Sequence, residues 1–235
     1  VDVAGRELRE PLVRHRCRDD GLAREVDVAE TGELVVRRDH DVAAVGRLPR
    51  EAFVPEAQRA LAYADLELPL GHGAQMMKPV VEGRMLQALQ LKSGDSVLEV
   101  GTGSGYISAC LGALARDVVS IEQVPELAAS ARARLDATGL GNNVRIEVAD
   151  ALQYDCGERL FDAVCVTAAV ATVPARFLQW LRPGGRLFVV RGQGPAMEAV
   201  RMIRAEAVNA AATESLFETG LAYLHGAEPV PQFQF

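Results

Sequence analysis

The sequence predicts a doubly wound α/β fold: a mostly parallel sheet of the seven-stranded type, helices on both faces, and an N-terminal extension. Three observations carry this. Short β-branched runs alternate with helical runs between Ser96 and Gly192. The first of these runs opens directly into a glycine-rich loop, Gly101–Gly105. Acidic residues stand where the next two strands end, at Glu122 and Asp150. Such alternation joins parallel strands through crossover helices, which cover both faces of the sheet.

The elements follow in order. Residues 1 to about 40 are dense in Arg, Asp and Glu, hold no aromatic residue, and contain only the short apolar run "LVV". They read as an exposed arm with one or two short helices, or as a poorly ordered segment. Val42, Val45 and Leu48 have helical spacing until Pro49 ends the run; "REAFVP" reads as a turn and a short extended piece, and "EAQRALAYA" as a short helix. "GHG" (71–73) is a flexible turn, and Pro79 suits the first turn of a helix whose apolar face includes Met85, Leu86 and Leu89. Strands are expected at Ser96–Val100, Val118–Glu122, Asn143–Asp150, Phe161–Ala169 and Arg186–Gly192. Helices are expected over "YISACLGALA", "PELAASARARLDATGL" and "PARFLQWL". Downstream, "AMEAVRMIRAEAVN" fits helix or strand, and "ESLFETGLAYL" adds an edge strand.

Composition bounds the function. The chain has 235 residues, 49% of them hydrophobic, enough for one sizeable domain with an appendage or for two small domains. A formal net charge of −7 argues against a general nucleic-acid-binding surface. No apolar run reaches the roughly 18 residues that span a bilayer. Cys17, Cys110, Cys156 and Cys165 form no C-x-x-C pair and read as reduced thiols of a cytoplasmic protein. The four histidines have no metal-ligand spacing, so no metal is expected.

The chemistry gathers at the strand ends, where ligands bind in such folds. In "EVGTGSG", glycines allow tight turns and close approach of backbone to ligand. The third glycine follows the second by two residues, whereas a dinucleotide fingerprint requires three. Glu99 inside the first strand suits a ligand with a cationic end and no phosphate, and S-adenosylmethionine is such a ligand. Glu122 is placed to accept both ribose hydroxyls, and Asp150 to meet the adenine amino group. The expected cofactor residues are therefore Glu99, Gly101, Thr102, Gly103, Gly105, Glu122, Gln123, Asp150 and Ala151.

The motifs "LPREAFVP", "LPLGHG", "SVLEVGTGSGYISACLGALA", "VVSIEQVPELAASARARL", "FDAVCVTAAVATVP" and "LRPGGRLFVVRG" together resemble one family within the class I S-adenosylmethionine-dependent methyltransferases. That family is the protein-L-isoaspartate O-methyltransferases. The resemblance spans roughly Val42 to Gly192, with a domain expected over 41–235. It implies a Rossmann-like fold and an acceptor that is the isoaspartyl (or D-aspartyl) carboxylate of aged proteins or peptides. It implies an acceptor side built from His72, Gln75, Met77, Lys78, Thr167 and Val170.

Two departures stand out. The family carries T-I-S-x-P before the helix, and counting back from Pro79 places Met77 at its serine and Gln75 at its threonine. No catalytic residue carries over. A carboxylate acceptor, with a pKa of roughly 4, needs no general base, so alignment dominates. A serine hydrogen bond would add about 1.5–3 kcal/mol. Two other readings stay open: a methyltransferase with another carboxylate or small-molecule acceptor, and a non-catalytic cofactor-binding regulator. The second departure is the arm, where the motifs fade upstream of Asp41, as in a divergent or mis-framed start. A monomer is expected.

Overall fold

The computed structural model describes residues 26–28, 34–36, 48–207 and 210–230. The expected helix across Val42–Leu48 lies almost wholly outside them. In the arm the described residues are strands, not helices: β1 (Val26–Val28) pairs antiparallel with β2 (Leu34–Val36). "REAFVP" opens with the expected turn, a 3-10 turn over Arg50–Ala52, and a second 3-10 turn over Glu56–Leu61 lies within the expected short helix.

A hairpin, β3 (Leu68–Gly71) and β4 (Ala74–Met76), precedes helix α1 (Pro79–Leu89). Its tight turn holds Gly71, His72 and Gly73 at φ of 87°, 54° and 77°, a run that two glycines make accessible. Then follow β5 (Ser96–Val100), α2 (Tyr106–Leu114), β6 (Asp117–Glu122), α3 (Pro125–Thr138), β7 (Val144–Val148) and β8 (Phe161–Val170). The last elements are α4 (Ala175–Gln179), β9 (Leu181–Gln193), β10 (Ala196–Arg204) and β11 (Ala211–Glu218). The ambiguous "AMEAVRMIR" is thus a strand. The edge strand is there too, displaced to start at Ala211 and end at Glu218.

The large sheet has seven strands in the order β11-β10-β9-β8-β5-β6-β7. Strands β9 to β7 run parallel, while β10 and β11 return antiparallel. The chain moves outward from β5 through β6 to β7, then crosses to β8 on the other flank. That reversal opens a crevice at the carboxyl ends of β5 and β8.

Both faces are buried, which is why the parallel strands read as near-continuous apolar runs. Val97, Ala163, Cys165, Phe188 and Val190 face α1, α2 and α3. Their neighbours Leu98, Val164, Val166, Leu187 and Val189 face α4 with Phe177 and Trp180. Glu99 shares the parity of Val97 and so points into the α2 layer, where it is fully buried. Among the described residues, no helix is long and apolar enough to cross a membrane.

Candidate active site

The loop Gly101–Gly105 sits over the carboxyl end of β5 with all three glycines at positive φ (93°, 52° and 87°). Gly101 has a second reason to lack a side chain: a Cβ there would come within 2.5 Å of Thr167 Oγ1. The Thr167 hydroxyl lies 2.7 Å from the Gly101 carbonyl and 3.0 Å from that of Val100, so it latches the loop to β8. Thr167 belongs to the glycine loop as much as to the expected acceptor wall. Val170 does not reach the cleft surface; it is fully buried in the α4-side core.

Glu122 ends β6 beside this loop. Its Oε2 accepts from the Gly103 N–H at 2.9 Å and its Oε1 from the Val124 N–H at 3.0 Å. A carboxylate has about four lone-pair sites, so acceptor capacity for hydroxyl groups remains. Asp150 follows β7 and is half-buried; its Oδ1 accepts from the Leu152 N–H at 2.8 Å and its Oδ2 from Gln153 Nε2 at 2.9 Å. The Ala149 N–H donates to the Glu122 carbonyl at 2.9 Å, which ties the two strand ends together. Of their neighbours, Gln123 is exposed and Ala151 is buried.

Beneath the loop runs a buried polar chain. Thr102 Oγ1 lies 2.5 Å from Ser120 Oγ, and Ser120 and Ser108 both donate to Glu99 Oε2 at 2.5 Å. Glu99 Oε1 has no partner among the described residues. Burial outweighs the two serines, and the Glu99 carboxyl is pushed up to about 8, which favours its neutral form at pH 7. Glu99 therefore underlies the glycine loop from inside the fold, fully buried and bonded to two serines.

On the other side of the crevice lies the hairpin β3–β4. Leu70 Cδ1 is 3.2 Å from where a Cβ on Gly103 would stand, so the hairpin rests against the glycine loop. His72 and Gln75 are exposed and Lys78 is half-buried at the start of α1. Met76 and Met77 are each only 4% exposed and belong to the core cluster of α1 and α2. Met77, at the position counted to the family serine, is a packing residue.

Two residues absent from the expected set organise this side. Arg50 forms a two-pronged ion pair with Glu82, Nε to Oε2 at 2.9 Å and Nη2 to Oε1 at 3.0 Å, with both side chains buried. Its Nη2 also donates to the Met77 carbonyl at 2.8 Å and its Nη1 to the Ala62 carbonyl. Burial pushes the Glu82 carboxyl up, and Arg50 draws it back. A signal for this pair exists in the sequence. Glu82 lies three and four residues before Met85 and Leu86, on the apolar stripe of α1, where an acid needs a partner. Among the described residues, no cluster of His, Cys, Asp and Glu could hold a metal ion.

The family model for protein-L-isoaspartate(D-aspartate) O-methyltransferase matches residues 27–217. The chain belongs to this family. The match begins in the arm, upstream of Asp41, where the motifs themselves fade. Curated relatives in the protein-L-isoaspartate O-methyltransferase family agree. Protein-L-isoaspartate O-methyltransferase 2 of Marinobacter nauticus is 45% identical over 149 residues, 63% of this chain and 68% of that one. The protein of the same name from Pelobacter propionicus is 35% identical over 226 residues, covering 92% of this chain and 99% of the relative. A solved protein-L-isoaspartate O-methyltransferase shares the fold with a TM-score of 0.71 at 22% identity, over 80% of this chain and 62% of that one. A Plasmodium falciparum chain in complex with S-adenosyl-L-homocysteine shares it with a TM-score of 0.68 at 20% identity, over 80% and 91%.

Proposed function

We infer that the protein methylates the carboxylate of isoaspartyl residues in damaged proteins or peptides, with S-adenosylmethionine as methyl donor. Membership in the family supports the activity. The observation that carries it at the site is the glycine loop with Glu122 bonded to its centre. The residues fit this cofactor. Gly101–Gly105 gives close backbone approach, Glu122 keeps acceptor capacity for two ribose hydroxyls, and Asp150 keeps it for the adenine amino group.

When bound, the cofactor would supply an electrophilic methyl on a sulfonium, passed to a carboxylate oxygen as the sulfur–carbon bond breaks, giving the methyl ester and the neutral thioether S-adenosylhomocysteine. The protein's residues hold and align. Glu122 and Asp150 fix the cofactor's position along the strand ends. Thr167 holds the loop's main chain, and the hairpin, with Leu70 against Gly103, closes the acceptor side. Lys78 offers a cation at the start of α1 for an acidic acceptor. The two free, fully buried thiols, Cys110 and Cys165, fit a reducing cytoplasm.

The test measures base-labile methyl ester formation on an isoaspartyl peptide, with cofactor binding titrated in parallel. Both are expected. Binding without ester on any isoaspartyl peptide would overturn the acceptor assignment. A second reading, a different carboxylate or small-molecule acceptor, is favoured by the burial of Met77 where a hydroxyl is usual. Ester formation on such acceptors alone would establish it.

A further inference from the structure

We propose that Arg50 is a positioning residue for methyl transfer, holding the acceptor segment Gly71–Lys78 against the glycine loop through the Met77 carbonyl; this rests on the methyltransferase reading above. The argument begins with cost. A buried ion pair is expensive to desolvate, and apolar residues of similar volume commonly replace one without loss of stability. Arg50 and Glu82 are 1% and 3% exposed, in a cluster otherwise made of Phe53, Met76, Met77, Met85 and their neighbours. Packing alone would be served by two apolar side chains.

The guanidinium supplies what an apolar pair lacks. Its planar fork has five N–H donors, and Glu82 takes two of them. Two of the other three reach main-chain carbonyls, Ala62 at the end of the second 3-10 turn and Met77 in the acceptor segment. Met77 lies one residue before Lys78 and one after the last residue of β4. Arg50 also lies 5.6 Å from the centre of the Tyr106 ring, and Tyr106 opens α2 immediately after Gly105. One side chain thus joins the acceptor segment, α1 and the helix that carries the glycine loop. Glu82 fixes the fork in the plane that reaches both carbonyls.

The consequence is geometric. Methyl transfer depends on alignment, and a displacement of about 1 Å at the acceptor costs as much as a hundredfold in rate. Arg50 is buried and bonded to the Met77 carbonyl, so its loss acts on the acceptor side through the main chain.

The decisive variant is the double substitution Arg50→Met with Glu82→Leu, which removes both charges and leaves no buried ion unpaired. Melting temperature, cofactor affinity, kcat and KM for methyl transfer, and amide exchange over residues 71–78 are measured on it and on the wild type. The expected result is a melting temperature near the wild-type value and cofactor affinity within about twofold, since the cofactor residues are untouched. Alongside these, kcat/KM falls by about a hundredfold and exchange over 71–78 rises by about tenfold. A double variant that keeps wild-type kcat/KM and wild-type exchange would overturn the proposal and leave the pair a packing element. Arg50→Met alone strands a buried carboxylate and is expected to lower the melting temperature sharply; if it does not fold, the double variant still decides. Should the wild type esterify no isoaspartyl peptide, the acceptor assignment fails by itself, while exchange over 71–78 still decides the role of Arg50.

Discussion

The two sides of the cleft are built from opposite materials. On the cofactor side, carboxylates at strand ends accept from backbone N–H groups, as Glu122 does from Gly103 and Val124 and Asp150 from Leu152. Each of these bonds lies within about a turn of a strand end. On the acceptor side two methionines are buried, and order comes from one guanidinium gripping carbonyls of distant segments. The difference teaches where each side can change. The cofactor side is fixed by local backbone geometry. The acceptor side can exchange its surface residues while the Arg50–Glu82 frame stays.

The sharpest test of the cofactor side is Glu122→Ala. It removes the acceptor for the ribose hydroxyls and leaves the Gly103 and Val124 N–H groups unpaired. Charge-assisted bonds contribute about 1.5–3 kcal/mol each, so cofactor affinity is expected to fall by roughly a hundredfold or more. Titration calorimetry reads this directly. Affinity within threefold of wild type would break the assignment of Glu122.

Met77→Ser tests the acceptor side. Because Met77 packs in the core, the substitution deletes buried apolar volume and inserts a hydroxyl. A loss of about 2–4 kcal/mol is expected in denaturant unfolding, without faster ester formation. A gain in isoaspartyl methylation with little loss of stability would show instead that this side chain meets the cleft.

Glu99 gives the cofactor side a pH signature of its own. With its folded pKa near 8 against 4.5 for the free group, the folded state binds a proton that the unfolded state has already lost. Its contribution to stability is complete below about pH 4.5 and is lost as pH rises towards 8. The melting temperature of the wild type should therefore fall more between pH 5.5 and 8 than that of Glu99→Gln. Equal slopes would mean that Glu99 is ionised throughout.

The smallest effect is expected from Thr167→Val, which keeps shape and deletes the latch to the Gly101 carbonyl. One neutral hydrogen bond is worth about 0.5–1.5 kcal/mol, so cofactor affinity should weaken by about two- to tenfold, with KM for the acceptor unchanged. A change confined to acceptor KM would move Thr167 to the other side of the cleft.

Much of this was legible in the sequence, for reasons that differ by element. Parallel strands buried on both faces read as apolar runs, so β5, β6 and β8 stood out. The last of the sheet was harder. In β10 a register shift between Ala199 and Val200 buries two successive residues and erases the two-residue alternation that marks a strand. The hairpin β3–β4 escaped because its strands are three or four residues long and, among the described residues, pair only with each other. In the arm, charge density suggested helix or disorder, whereas its described residues form a short antiparallel pair.

By itself the sequence determined the order of elements and the placement of Glu122 and Asp150 at the strand ends. Strand, glycine loop and helix follow one another within about ten residues, and a terminal carboxylate is at the carboxyl edge whatever surrounds it. Only the tertiary structure decided which way Glu99, Met77 and Val170 face, and that Arg50 meets Glu82 across 32 residues of chain. Facing depends on the parity of each residue against the layer that covers it. Pairing depends on which segments the core brings together, and neither quantity is written in local spacing.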